Sequence, residues 1–317
     1  MAYFDKSGEL GSLARALRLA LIILPVVAVF LSVIRVVQSA ELLQTQWGHS
    51  LAFLIAHDAL YPLLYLAFGL WAAHVIKPIN FLNLSVLQWV LIGLAVALLA
   101  GNLYYDHKGT GALLSRFTKG GYLFLSSSAA WMANALGFAV ICIFAATTFP
   151  RFEIESLETV TGRAAVMRRA LIIVPIVGLS LAAITTLLFR IDDVRNGFTS
   201  NVFIDIHTFI TPLAYLAIGL WAANLIKPIK GLDLQSLKWA LILIGITLPV
   251  LSAYNDLETF FELDRGDPDG GSSLLRQFAE NPELVVLLIA YWIREVILAL
   301  ICFFVTYKID GKAALPR

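Results

Sequence analysis

Two adjacent charged residues interrupt the last long apolar segment of the sequence. Arg294 and Glu295 occur in the stretch YWIREVILAL, about 12 residues after Asn281 and Pro282, which are residue types typical of a helix start. At 1.5 Å per residue, the charges would lie roughly 18 Å along a helix, close to the middle of a bilayer. A charge at that depth costs at least about 2.5–3.5 kcal/mol, and such groups usually face the protein interior. We therefore predict that Arg294 points into a groove between helices and binds an anionic group, either a lipid head group or the carbonyl end of a kinked helix.

The competing interpretation is a neutral Arg–Glu pair that only ties helices together. Adjacent helical residues point about 100° apart, although two long side chains can still meet. The first half of the chain carries no charge at the equivalent positions, because aligning AVICIF at 139–144 with ALICFF at 299–304 puts Asn134 and Ala135 there. The candidate ligand-binding residues are Arg294, Glu295 and Asn134.

Two histidines at matching positions are the other residues whose chemistry suggests a site. His57 and His207 each begin a nearly identical apolar segment. Two imidazoles at one depth on two helices could ligate a haem iron from both faces, as in b-type cytochromes. Alternatively, each histidine hydrogen-bonds loop carbonyls or a nearby acid, here Asp58 and Asp205. We expect no cofactor unless this histidine pair binds haem b.

Known catalytic motifs are missing from the sequence. It contains no nucleophile elbow, no phosphate-binding glycine loop and no zinc-type His-Glu spacing. The formal net charge is +1, and no basic tract points to a nucleic-acid partner. We therefore expect a protein that is not an enzyme and binds no nucleic acid.

The composition is that of a membrane protein. Hydrophobic residues make up 59% of the chain and charged residues only 14%, against about 25% charged residues in soluble domains. About 20 apolar residues are needed to cross a bilayer as a helix. Eight runs are that long or nearly so, which predicts an all-α integral membrane protein with eight transmembrane helices. The runs lie near 16–37, 52–76, 85–102, 123–148, 167–189, 203–226, 236–254 and 284–307.

Lysine and arginine are unevenly divided between the two sides that these spans define. The richer side includes both termini and the segments near 77, 151–169 and 227–230. Positively charged loops remain cytoplasmic, so we expect a multi-pass protein of the inner membrane with both termini in the cytoplasm. The expected partners are the lipid bilayer and other membrane proteins.

The chain contains two similar halves. The segment HDALYPLLYLAFGLWAAHVIKPI at 57–79 matches HTFITPLAYLAIGLWAANLIKPI at 207–229 at most positions, with an offset of 150. Such identity exceeds what shared hydrophobicity gives and indicates an internal repeat. Four spans in each unit bring both units back to the same side. We therefore predict two parallel four-helix repeats, units 1–160 and 161–317, related by a pseudo-two-fold axis along the membrane normal.

Four residue types in the repeated segment have structural roles in both copies. The prolines should kink the second span, and the glycines allow close approach of a neighbouring helix. The tryptophans suit the cytoplasmic interface, and the lysines, each followed by proline, end the helix. The pairs are Pro62 and Pro212, Gly69 and Gly219, Trp71 and Trp221, and Lys77 and Lys227.

One unit resembles a known family. The stretches FIDIHTFITP at 203–212 and LQSLKWALILIGI at 234–246 are similar to segments of an uncharacterised family of bacterial four-helix inner-membrane proteins, described only as a domain of unknown function. Members of that family usually carry one unit, so this chain departs from the pattern as a tandem duplicate. The resemblance implies a membrane protein and transfers no catalytic residue.

Three functions stay open at this point. The first is a non-enzymatic membrane protein that binds a partner or lipid between its two units. The second is a transporter or channel with its path on the pseudo-two-fold axis. The third is a b-type electron carrier that uses His57 and His207.

Overall fold

The computed structural model describes residues 11–46, 59–117, 122–148, 162–196, 202–265 and 282–313. This part of the chain is all-helical, as the sequence predicted, and forms eight helices. They are α1 Ser12–Gln46, α2 Leu60–Ile76, α3 Leu84–Phe117, α4 Tyr122–Thr147, α5 Arg163–Asn196, α6 Val202–Ile226, α7 Leu234–Arg265 and α8 Pro282–Ala313.

Five of these helices contain stretches long and apolar enough to cross a membrane, against the eight spans that the sequence predicted. Helix α2 and the second part of α4 are apolar over shorter stretches, Leu60–Ile76 and Met132–Thr147. Several predicted spans also run into residues outside the described ranges. The five spans are Ser12–Ile34, Leu84–Gly101, Arg163–Leu188, Phe209–Ile226 and Leu234–Leu251.

The helices form two concentric layers. Helices α2, α4, α6 and α8 each contact the next in a closed inner ring, and each of α1, α3, α5 and α7 packs outside against two inner helices. The contacts of the first four helices match those of the last four: α1 packs against α2 and α8, and α5 packs against α6 and α4. The layering explains burial, because the spans of the outer helices are 22–28% buried whereas the span of α6 is 56% buried.

The outer layer presents apolar side chains to its surroundings. Phe30 on α1 is 65% exposed, Ile173 on α5 is 54% exposed and Leu243 on α7 is 67% exposed. A large continuous apolar surface of this kind is unfavourable in water and suits contact with lipid. The surface is therefore compatible with a protein embedded in a membrane.

One end of the bundle, which we call the charged end, is defined by contacts between basic side chains and helix termini. Arg18 Nε donates to the carbonyl of Ala73, and Arg168 Nε donates to the carbonyl of Lys227, both at 3.3 Å. Lys308 Nζ donates to the carbonyl of Val75 at 3.2 Å. These cations lie at the negative ends of α2 and α6. The Ala73 carbonyl also accepts the Lys77 amide. The starts of α1 and α5 therefore lie beside the ends of α2 and α6.

Candidate functional site

The predicted charges form an ion pair within one helix. Arg294 Nη2 lies 3.0 Å from Glu295 Oε1, and Arg294 Nε lies 3.3 Å from the same oxygen. The Glu295 side chain is 5% exposed, whereas that of Arg294 is 37% exposed. Both residues belong to α8. The interpretation of a pair that ties helices together required a link between two helices, and this ion pair does not itself provide one. The carboxylate is buried, and the guanidinium remains partly accessible.

Three tyrosines surround the ion pair, and with Arg294 and Glu295 they form what we call the polar cluster. Tyr61 and Tyr65 come from α2, and Tyr215 comes from α6. All three interact electrostatically with Arg294. Tyr65 and Tyr215 also interact with Glu295, and their side chains share a hydrogen bond. The cluster thus joins three of the four inner helices.

The hydrogen bond between Tyr65 and Tyr215 links equivalent positions of the two halves, since their numbers differ by 150. The fourth inner helix, α4, contributes Phe138 beside them. Its ring centroid lies 4.7 Å from that of Tyr65 and 5.9 Å from that of Tyr215. Tyr61 also stacks on Phe138 at 6.3 Å. This aromatic layer closes the centre of the ring at the level of the polar cluster.

A second aromatic layer lies nearer the charged end. Trp71 and Trp221 both make edge contacts with Phe304, with ring centroids 5.7 Å and 6.4 Å away. The tryptophans are only 4% and 6% exposed, so they pack between the inner helices. Their level at the cytoplasmic interface stays a prediction.

Two tryptophans outside the repeated segment have the exposure of interface residues. Trp89 on α3 is 70% exposed and Trp239 on α7 is 60% exposed. Each tryptophan lies in the second turn of its helix. Lys238 Nζ lies 5.7 Å from the Trp239 ring centroid. Sequence reasoning missed this pair, although its signal was present: both residues lie five positions after the start of an outer helix.

Asn134 lies apart from the ion pair. It belongs to α4, and no residues of α4 and α8 approach each other in the described part of the chain. The two helices therefore occupy opposite sides of the inner ring. The Asn134 side-chain oxygen is buried and has no hydrogen-bond partner within the described residues. Asn134 therefore lies in the same inner ring as the polar cluster, but its helix does not contact the helix that carries Arg294 and Glu295.

The haem prediction falls largely outside the described residues. His57 is not among them, and His207 lies in the first part of α6 with its side chain outside the description. Within the ranges that the structure covers, no three His, Cys, Asp or Glu residues come together as a metal site. Haem binding by this pair stays a prediction.

The two glycines of the repeated segment lie at helix crossings. A Cβ at Gly69 would collide with the carbonyl oxygen of Leu21, and a Cβ at Gly219 would collide with that of Leu171. These carbonyls lie four residues before Pro25 and Pro175, inside α1 and α5. Since proline has no N–H, neither carbonyl receives its usual helical hydrogen bond. A glycine Cα–H points at each oxygen, a weak contact that compensates in part.

The prolines of the second span lie at equivalent positions of the two halves. Pro212 lies inside α6. Pro62 lies in α2, and the chain before residue 59 is outside the described residues. The lysines end their helices in both halves: the Lys77 and Lys227 amides make the last helical hydrogen bonds, at 3.1 Å.

The substitution of His74 by Asn224 in the repeated segment preserves a contact. The Ile79 amide donates to His74 Nδ1 at 3.0 Å, and the Ile229 amide donates to Asn224 Oδ1 at 2.8 Å. A neutral imidazole nitrogen and an amide oxygen both accept at similar reach from the backbone. Each side chain thereby holds the turn that follows its helix.

Comparison with known proteins adds no relative. No family model matches this chain, and no curated protein and no solved structure matches it significantly.

Proposed function

We propose that the chain is an eight-span protein of the inner membrane, built from two parallel four-helix repeats with both termini in the cytoplasm. Support comes from the sequence identity at an offset of 150 and from the matching helix contacts of the two halves. The cations at the charged end support its assignment to the cytoplasm. A tandem version of the four-helix family that the sequence resembles would have this arrangement.

We further propose that the protein is not an enzyme and that it binds an anionic group of a lipid or small molecule at the polar cluster. The observation that carries this proposal is the unequal exposure of the ion pair, 37% for Arg294 against 5% for Glu295. The buried carboxylate holds one side of the guanidinium, and the partly accessible side can contact a second anion at a lower desolvation cost than a fully buried charge would have. An exposed guanidinium suits carboxylate or phosphate recognition.

A channel along the pseudo-two-fold axis is less well supported. Phe138 packs against both Tyr65 and Tyr215, and Phe304 packs against both Trp71 and Trp221. These two aromatic layers fill the centre of the inner ring at two levels. An ion path would require both layers to move, whereas a ligand at the polar cluster requires neither.

The proposal is tested by replacing Arg294 and Glu295 with Asn and Ala, the residues at the equivalent positions 134 and 135 of the first half. The double variant Arg294→Asn, Glu295→Ala removes the cluster charges together, which leaves no buried charge alone and keeps or raises stability. We expect wild type in phosphatidylcholine nanodiscs to bind added phosphatidylglycerol or inorganic phosphate, and the double variant to bind neither, as measured by native mass spectrometry. Phosphatidylglycerol binding alone would identify a lipid site.

The matched control removes an ion pair at the charged end of the bundle. Lys238 Nζ and Asp310 Oδ1 are 2.9 Å apart, and Lys238→Met, Asp310→Ala changes the same number of charges. Anion binding should survive in this control. Equal anion binding by wild type and the cluster variant would contradict the proposal.

A further inference from the structure

The turn after α2 is held by a titratable acceptor. His74 Nδ1 accepts the Ile79 amide at 3.0 Å, across the break that Lys77 and Pro78 introduce after the helix. A second hydrogen bond within this turn joins the Leu82 amide to the Ile79 carbonyl at 3.1 Å. Ile79 is therefore held at both its amide and its carbonyl, and the imidazole supplies one of these two contacts.

The acceptor exists only in the neutral imidazole. Protonation places a hydrogen on Nδ1 and removes the lone pair that receives the Ile79 amide. Imidazole side chains change charge between about pH 5 and pH 8. His74 is half-buried, so its ring is open to protons from solvent.

Charged groups from two neighbouring helices and from the turn itself lie near His74. Helix α1 supplies Arg18, which binds the Ala73 carbonyl, and α8 supplies Lys308, which binds the Val75 carbonyl. Lys77 adds a third cation from the turn itself. Asp310 of α8 forms an ion pair with Lys238. Helices α3 and α4, over 84–101 and 132–147, bring no charged residue to this end.

The second half carries the same contact without titration. Asn224 Oδ1 accepts the Ile229 amide at 2.8 Å, and an amide oxygen keeps its lone pairs at any pH near neutrality. Arg168 caps the end of α6 as Arg18 caps the end of α2. The two turns therefore differ in whether this acceptor can gain a proton. They also differ at 80–83, where Asn80, Phe81 and Asn83 correspond to Lys230, Gly231 and Asp233.

From these contacts we propose that the α2–α3 turn is an acid-sensitive latch: protonation of His74 releases the Ile79 amide and loosens the end of α2, while the α6–α7 turn stays closed. Helix α2 also carries Tyr61 and Tyr65, so loosening would reach the polar cluster. That consequence rests on the proposed function, and the latch itself does not.

Hydrogen exchange of the full chain in detergent, followed by mass spectrometry, tests the latch. Rates for residues 75–83 and 225–233 are compared at pH 8 and pH 5.5 after correction for intrinsic exchange. Loss of one hydrogen bond should raise exchange of the first segment about fivefold at pH 5.5, with no change in the second. Equal responses of the two segments would overturn the proposal.

Two exchanges between the halves complete the test. His74→Asn should abolish the pH response of residues 75–83, and Asn224→His should create one in residues 225–233. A pH response that survives His74→Asn would also overturn the latch. Anion binding by His74→Asn is measured separately, so failure of the latch and failure of the proposed ligand site give different results.

Discussion

The charged end and the polar cluster use the two halves of the sequence in opposite ways. At the charged end the halves match: Arg18 and Arg168 cap equivalent helices, and Gly69 and Gly219 meet equivalent carbonyls. In the polar cluster they differ, because Asn134 and its neighbour stand where the second half has its ion pair.

This difference separates what the fold requires from what it does not. The close glycine crossing occurs both where α1 meets α2 and where α5 meets α6, and an arginine caps the end of both α2 and α6, so both halves have these features. The ion pair is absent from one half, which nevertheless forms the same helix contacts. Its free-energy cost in an apolar core therefore calls for a reason other than folding.

The largest expected effect is at the matched crossings. Gly69→Ala and Gly219→Ala each place a methyl group against a backbone carbonyl, which cannot move away as a flexible side chain can. Each change should cost about 3 kcal/mol, at the upper end of the usual range for overpacking. Thermal unfolding in detergent should show similar losses for the two variants.

A third glycine provides the control for these variants. A Cβ at Gly93 on α3 meets nothing within 4 Å, so Gly93→Ala should be neutral or should stabilise the helix by up to about 1 kcal/mol. If Gly69→Ala behaves like Gly93→Ala, the close crossing is not what holds α1 against α2.

The second effect distinguishes the cluster from the crossings. Arg294→Met leaves the buried Glu295 carboxylate without the guanidinium, whereas Glu295→Gln leaves a partly exposed cation. We expect a loss of about 3 kcal/mol for the first variant and a smaller loss for the second. The double variant should recover most of this loss, a coupling measured as a double-mutant cycle. Additive losses would mean that the ion pair contributes nothing as a pair.

The sequence predicted the helical class, because runs of apolar residues are a local property. The two four-helix repeats, inferred from the segments that match at an offset of 150, stay a prediction. The sequence placed Gly69 and Gly219 at helix contacts, since glycine between bulky apolar residues has few other uses in such a segment. The sequence could not predict which of Trp71 and Trp89 is buried and which is exposed. Helices that are apolar on every side carry no periodicity that identifies the inward face.

The polar cluster was predictable only in part. The charges of Arg294 and Glu295 stood out in an apolar segment, but Tyr65 and Tyr215 looked like ordinary residues of separate helices. Their contact depends on the inner ring, which forms only when both halves pack together. The sequence also could not predict that His74 and Asn224 accept equivalent backbone amides, because this contact depends on the path of the chain after each proline.

The smallest expected effect concerns the starts of α3 and α7. Asn83 accepts the Val86 amide at 3.2 Å, and the equivalent Asp233 accepts the amides of Gln235 and Ser236 at 3.0 Å and 3.2 Å. The Ser236 hydroxyl also donates to Asp233 at 2.7 Å. These bonds, that of the Ser236 hydroxyl first, hold the pKa of the Asp233 carboxyl below its ordinary value.

A lowered pKa in the folded state fixes the sign of the pH effect. The carboxylate stabilises the fold above the pKa of the unfolded chain, about 3.9, and this contribution is lost as the pH falls through the folded value. Asp233→Ala should therefore lower the melting temperature more at pH 7 than at a pH below about 3.9, where the protonated carboxyl keeps only its neutral hydrogen bonds. Asn83→Ala should cost about 0.5–2 kcal/mol at both pH values, because an amide does not titrate. If Asp233→Ala lowers the melting temperature equally at all pH values, the negative charge of Asp233 does not contribute to the stability of the fold.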